Sequence, residues 1–147
     1  NNFTAKDFAM SHPSGSLGRR LLTLVSSIMK SGKDIPMVSK ETLLIDSLLV
    51  MSEKALGMVL IAENEKLIGI FTDGDLRRAL ESNIDFQKLT IGDVMTKDCK
   101  SIEPQEPALT AMQMMEKYSL NSLPVVDSSN NIVGAINMHT LIQAKLF

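Results

Sequence analysis

Leu67-Ile-Gly-Ile-Phe71-Thr72-Asp-Gly-Asp75-Leu76 and Ile132-Val-Gly-Ala-Ile136-Asn137-Met-His-Thr140-Leu141 carry one pattern twice. In each, a short apolar run with a central glycine ends on a polar residue, and an amphipathic run starts at once. Just upstream lie Met58-Val-Leu-Ile-Ala62 and Leu123-Pro-Val-Val-Asp127, separated from these runs by the polar stretches Glu63–Lys66 and Ser128–Asn131. Two apolar runs around a short polar loop predict a β-hairpin in each copy. Further out, Val25-Ser-Ser-Ile-Met29 corresponds to Ile91-Gly-Asp-Val-Met95, so that Met29 matches Met95, Gly69 matches Gly134 and Leu76 matches Leu141. The period is about 65 residues, longer than the ~20–50 of solenoid repeats, and there are two copies. Two such units burying one face against each other form a pseudo-symmetric pair with a cleft between them, which predicts a ligand-binding module.

The remaining elements follow from spacing. Asn1–Ser11 has no strong period, and Pro13, Gly15 and Gly18 read as a turn-rich link. Leu17, Leu21, Leu22 and Val25 are spaced like one helical face. Gly32 to Pro36 reads as a loop. Leu43, Leu44, Leu48 and Met51 predict a helix of about three turns, with Gly57 as its stop. A helix from Leu76 to about Ser82 follows the first hairpin, and the polar Asn83–Thr90 leads into the second copy. There a helix is predicted over Pro107–Tyr118, with Leu109, Met112 and Met115 on its apolar face, and a last one over Met138–Lys145. Each copy is β-α-β-β-α, and the fold class is α+β. The expected boundaries are a junction over 1–24, a first repeat over 25–88 and a second over 89–147.

Composition limits the function. The 147 residues can bury a full core, and a net charge of −2 with interspersed signs implies no polyanion-binding surface. Trp is absent and aromatics make up 4%, which argues against a base-stacking surface for single-stranded nucleic acid. A single cysteine, Cys99, forms no internal disulfide and reads as a reduced intracellular thiol. No run reaches the ~18 apolar residues that span a bilayer, and no signal peptide is visible. The expectation is a cytoplasmic protein with no nucleic-acid or membrane partner. The start at Asn1 without an initiator Met suggests a piece of a longer protein. The ten Met residues lie mostly at helix-face and strand positions, as core filler rather than a metal box; no metal site is expected.

The sharpest local feature is the strand end at Phe71 followed by Thr72 and Asp75, three apart at a helix start. Gly69 permits close approach of a backbone or a ligand. Two readings of Thr72 and Asp75 stand side by side. One is a capping box, the Thr72 side chain accepting from the N–H three residues on and Asp75 reaching back. The other is a sugar-phosphate cradle, with Asp75 holding a vicinal diol, Thr72 and free N–H groups facing a phosphate, and Arg77 and Arg78 adding positive charge. In the second copy Thr140 stands where Asp75 does, so the two clefts should differ in affinity. His139 reads as a surface residue at a helix start.

The duplication, with Gly-x-x-Thr72-x-x-Asp75-Leu76, resembles a tandem cystathionine-β-synthase (CBS) domain pair, or Bateman module, over about Val25 to Phe147. The resemblance implies a regulatory unit that binds adenosine nucleotides between the repeats, with Asp75 on the ribose. It implies that the cleft of Thr72, Asp75, Arg77 and Arg78 is completed by Ser101, Ile102, Ser122 and Leu123. A second cleft would use Val38, Ser39, Met58 and Val59 with Asn137 and Thr140.

A further stretch, from Asp7 through His12-Pro13 and Leu17-Gly18-Arg19-Arg20 to Leu22, resembles the junction segment of bacterial arabinose-5-phosphate isomerases, and Ile70–Arg78 also matches that family. Those enzymes carry a sugar isomerase (SIS) domain before a CBS pair and interconvert ribulose 5-phosphate and arabinose 5-phosphate on the route to Kdo in lipopolysaccharide. The resemblance assigns His12 to the isomerase site of the full-length parent, where an imidazole suits enediol chemistry. One departure is Pro13-Ser14-Gly15, where the family usually has two glycines after His-Pro. Of the acid–base pair and phosphate clamp such chemistry needs, only His12 is present, so no turnover is expected from this stretch alone. The implied partners are the chain's own SIS domain and further copies, as a dimer of CBS pairs within a tetrameric parent. No cofactor is required, and the implied effector is an adenine nucleotide or CMP-Kdo. The alternative is a structural oligomerisation module that senses no ligand.

Overall fold

The structure is a computed structural model that describes Gly18 and residues 21–144. The first half consists of β1 (Met37–Ser39), α2 (Leu44–Lys54), β2 (Met58–Glu63), β3 (Lys66–Thr72) and α3 (Asp73–Glu81). The second consists of α5 (Ala108–Tyr118), β4 (Ser122–Val126), β5 (Ile132–Asn137) and α6 (Met138–Gln143). A short helix precedes each half: α1 (Val25–Ile28) and α4 (Ile91–Val94). The mixed α+β order β-α-β-β-α stands. In the first half its leading strand is β1, paired parallel to β2, which is antiparallel to β3. In the second half the leading strand shrinks to a single parallel bridge between Ile102 and Val125 beside the β4–β5 hairpin.

Local chemistry accounts for the boundaries. The first hairpin turns on Asn64 and Glu65, both at positive φ (52° and 68°). Those are the signs of a type I′ turn, whose twist matches that of the strands, so β2 and β3 extend into the polar stretch expected as loop. Helices α2 and α5 each end on a left-handed residue, Ala55 and Ser119, which closes the last turn. Pro107 caps α5 from an extended conformation rather than entering it. Leu17 lies outside the described residues, and the helical face expected to run on to Val25 is broken just before it. Leu24 is extended and bridges Pro107, and Val25 starts a new turn. The loop expected at Gly32–Pro36 contains a 3-10 turn over Gly32–Asp34.

The hairpin registers correct the repeat alignment. Met58 faces Thr72 and Ser122 faces Asn137, so the counterpart of Met58 is Ser122, not Leu123. A one-residue slip turns every side chain to the opposite face of a strand. In the corrected register Val59 and Ile61 share a core with Leu44, Met51 and Phe71. Their counterparts Leu123 and Val125 share one with Ala108, Met115 and Ile136. Met58 and Leu60, on the other face of β2, join Ile35, Leu56, Ile70 and Ala135 in a third cluster that contains residues of both halves.

The halves exchange their leading segments. Val25 is fully buried in the core of the second half, and α1 is tied there by Val25 N–H to Glu106 O and Ser26 N–H to Pro104 O, each 2.9 Å. Lys30 bridges Ala135 of β5. Reciprocally, Ile91 of α4 is buried in the core of the first half, with its N–H on Thr42 O at 2.7 Å, and Thr96 bridges Ile70 of β3. This exchange explains the two glycines of the repeat. A Cβ on Gly69 would overlap the side chain of Met95, and one on Gly134 the side chain of Met29. The close approach expected at Gly69 is therefore made by a methionine from the opposite repeat, not by a ligand. The hairpin tips also meet, through Leu67 N–H to Asn130 O (3.1 Å) and Ile132 N–H to Glu65 O (2.9 Å).

Candidate ligand-binding cleft

A cleft of about 760 Å³ opens where the two halves meet. Its walls repeat the pseudo-symmetry. The turn after α2 (Ala55–Gly57) and the start of α3 face the turn after α5 (Tyr118–Ser122) and the start of α6, while Thr96 and Asp98–Lys100 contribute from the connecting segment. Matching hydrogen bonds hold each turn against its helix start: Asp73 N–H to Gly57 O (3.1 Å) and Met138 N–H to Asn121 O (2.9 Å).

At the start of α3 the capping box is formed. The Thr72 hydroxyl accepts from Asp75 N–H at 3.3 Å. Asp75 Oδ2 accepts from Thr72 N–H at 2.9 Å and from the Thr72 hydroxyl at 3.1 Å. Asp75 Oδ1 accepts from Arg78 Nη2. A carboxylate offers about four lone-pair sites, so capping leaves acceptor capacity for a ligand, and the two readings of Asp75 are compatible. At the start of α6, Asn137 takes the capping role alone. Its Oδ1 accepts from Thr140 N–H (2.9 Å) and the Thr140 hydroxyl (2.6 Å), and its Nδ2 donates across to Leu56 O at 3.5 Å. Thr140 is buried, with its hydroxyl proton already committed.

Thr72, Asp75, Arg78, Ser122 and Asn137 line the cleft. Arg77 is exposed and does not line it. Ile102, Leu123, Met58 and Val59 are buried in hydrophobic cores. Ser101 lines a separate, smaller hollow of about 460 Å³. Val38 packs against the core of the first half, and Ser39 is exposed, bonded to Thr42 at 3.2 Å. Of the second expected cleft only Asn137 lines this cavity, and Thr140 does not; the start of α3 gives the cavity a charged side and the start of α6 a neutral one. The repeat motif did not point to Lys100, Tyr118, Cys99 or His139, which also line it. Lys100 Nζ lies 4.4 Å from the centre of the Tyr118 ring, a cation–π contact. Cys99 is half-buried, and that burial pushes its thiol above the ordinary range. Cys99 and Lys100 sit on the connecting segment, Tyr118 ends α5 and His139 lies in the first turn of α6, places that no hydrophobic period marks. Their one local signal is the turn chemistry at Gly57 and Ser119. His12 lies outside the described residues. Among the described residues no group of three or more His, Cys, Asp or Glu side chains could hold a metal ion, and no helix is long and apolar enough to cross a membrane.

Residues 25–82 and 91–146 each match the family model of the CBS domain. The chain belongs to the CBS-domain family and carries two copies of the domain. It is 48% identical over 145 residues to arabinose 5-phosphate isomerase KdsD of Francisella tularensis, covering 99% of this chain and 44% of that protein. It is 48% identical over 143 residues to the protein of the same name in Pseudomonas aeruginosa, covering 97% and 44%. The chain therefore spans less than half the length of the curated relatives it matches. Among solved structures, the CBS domain pair of protein MJ0100 in complex with 5'-methylthioadenosine and S-adenosyl-L-methionine superposes with a TM-score of 0.72 at 25% identity. The match covers 82% of this chain and 98% of that one.

Proposed function

We propose that this CBS pair is the regulatory part of a D-arabinose 5-phosphate isomerase and binds a nucleotide or nucleotide sugar in the cleft between its halves. The observation that carries the reading is the cleft itself. It brings a diol-competent carboxylate, Asp75, into one cavity with two cations, Arg78 and Lys100, and an aromatic ring, Tyr118. A volume of about 760 Å³ suits a nucleotide, since small-molecule pockets run to roughly 300–1,000 Å³. The MJ0100 pair, which holds adenosine-containing ligands, supports an adenine nucleotide. The similarity to KdsD supports CMP-Kdo, the product-side nucleotide sugar of the route to lipopolysaccharide. In this reading the isomerase chemistry belongs to the full-length protein and its SIS domain, with His12 in that site, and the protein works in the cytoplasm. A thermal-shift series with AMP, ATP, CMP and CMP-Kdo tests the sensing role. A ligand at a hundred times its Kd stabilises by about 2.7 kcal/mol, or roughly 5–10 °C for a chain of this size. No shift with any of the four rejects it.

One observation favours the second reading, an assembly module. On α2 and α5, Leu44, Met51 and Met115 are buried in the cores, while Leu43, just before α2, is 39% exposed. Ile45 and Leu49, one turn apart on α2, are 41% and 66% exposed. Light scattering on the wild type and on Leu49→Glu separates the cases. A dimer that Leu49→Glu dissociates supports assembly through α2, and a monomer at high concentration removes this reading.

A further inference from the structure

The Asp75 carboxylate is occupied before any ligand arrives. Its side chain is 16% exposed and its ion-pair partner Arg78 is 69% exposed. The guanidinium folds back over the first turn of α3, so that a Cβ at Gly74 would stand 3.5 and 3.6 Å from its two terminal nitrogens. Thr72 holds Oδ2 and Arg78 holds Oδ1. A vicinal diol gripping Asp75 through both hydroxyls needs Oδ1, so Arg78 must yield it or share it. With the guanidinium 69% exposed, solvent screens the pair, and Arg78 is free to move off the carboxylate. The freed guanidinium remains on the wall of the cleft, and its planar fork matches a phosphate.

We propose that Arg78 is the specificity-determining latch of the cleft: it rests on Asp75 in the empty protein, and on binding it exchanges that carboxylate for a phosphate of the ligand. The inference rests on the reading that the cleft binds nucleotides. A neutral nucleoside breaks the Asp75–Arg78 pair and leaves the guanidinium without an anionic partner. A nucleoside phosphate supplies the diol for Asp75 and the anion for Arg78 in one molecule. The device occurs once per chain. By the repeat register, Gln143 stands where Arg78 does and Thr140 where Asp75 does, and the Thr140 hydroxyl is bonded to Asn137. The cleft therefore takes one nucleotide, oriented by its charged half.

Isothermal titration of the chain with AMP, adenosine, CMP and cytidine tests the latch. The wild type should bind the better monophosphate about tenfold or more tightly than its nucleoside, with one site per chain. In Arg78→Ala the monophosphate should weaken by about tenfold while the nucleoside binds as well or better, so the preference collapses. Arg78→Lys, which keeps the charge without the fork, should retain part of it. Equal loss for monophosphate and nucleoside in Arg78→Ala would make Arg78 a support for Asp75 and overturn the latch, as would no change for either. A wild type that binds both equally overturns the latch alone. A wild type that binds none of the four, in a protein with a cooperative melt, overturns the nucleotide reading and the latch with it.

Discussion

Asp75 serves the fold and the cleft with one carboxylate: Oδ2 caps α3 while Oδ1 faces Arg78. The two roles separate on mutation. Asp75→Ala should cost about 1 kcal/mol of stability through the lost cap. It should also lower nucleotide affinity at least about tenfold, because two charge-assisted hydrogen bonds worth roughly 1.5–3 kcal/mol each disappear. Thr140→Ala should change affinity little, since the Thr140 hydroxyl is bonded within its own cap. Calorimetric titration of both variants decides. Unchanged affinity in Asp75→Ala with only a lower melting temperature leaves the capping role alone. Loss of binding in Thr140→Ala puts the ligand on the neutral side. The glycines give a second prediction at this scale. A Cβ on Gly92 would stand 2.8 Å from the Lys40 carbonyl oxygen, and one on Gly134 would stand 3.0 Å from the Lys30 carbonyl oxygen. Backbone atoms cannot swing aside as a side-chain tip can, so Gly92→Ala and Gly134→Ala should each destabilise by about 1–3 kcal/mol, read as lower urea midpoints. Midpoints equal to wild type would mean that these segments can separate at little cost.

At the scale of elements, the exchange of α1 and α4 governs how the pair holds together. Each short helix buries its first apolar residue in the core of the other half and donates its opening N–H groups to the segment before that half's long helix. Helices of one turn do not persist alone, so α1 and α4 exist because of this docking. Val25→Ala removes apolar contact from a fully buried site and should cost about 1.5–3 kcal/mol. Although Val25 opens the first repeat in sequence, hydrogen exchange should speed up in β4, β5 and α5 and stay near wild type in β2 and β3, as long as opening is local. Faster exchange confined to β2 and β3 would show that α1 supports the half it precedes in sequence.

For the whole molecule, the two halves share a central cluster and a cleft, and Cys99 sits at both. It packs against the cluster of Met58, Leu60 and Ala135 and lines the cleft. As the only cysteine in the chain, it reports on the cleft directly. Burial raises its thiol pKa, so at neutral pH less of it is thiolate than in an unfolded peptide, and the thiolate is the nucleophile. Alkylation by iodoacetamide should be slower than for an unfolded control at pH 7.5. It should accelerate only as pH passes above the ordinary thiol range of about 8.5, and slow again when a nucleotide fills the cleft. An alkylation rate equal to the unfolded control, unaffected by nucleotide, would place Cys99 away from the bound ligand and open to solvent.

The duplicated strand–turn–helix pattern was enough to determine the α+β class, the two hairpins, the helices after them and the capping residues Thr72 and Asp75, because each depends on a period or on turn chemistry within a few residues. The strand register was not legible. Leu123-Pro-Val-Val and Met58-Val-Leu-Ile are both apolar throughout, and a run buried on both faces carries no alternation to tell one face from the other; cross-strand pairing decided it. The same limit hid the exchange of α1 and α4 and the facing of the two helix starts across one cleft, for these depend on contacts between residues far apart in the chain. Sequence spacing supplied Asp75 and Arg78 as neighbours on a helix. Only the tertiary structure brought Lys100, Tyr118 and Cys99 to the same cavity, because the two halves must pack before the connecting segment and the end of α5 that carry those side chains face the start of α3.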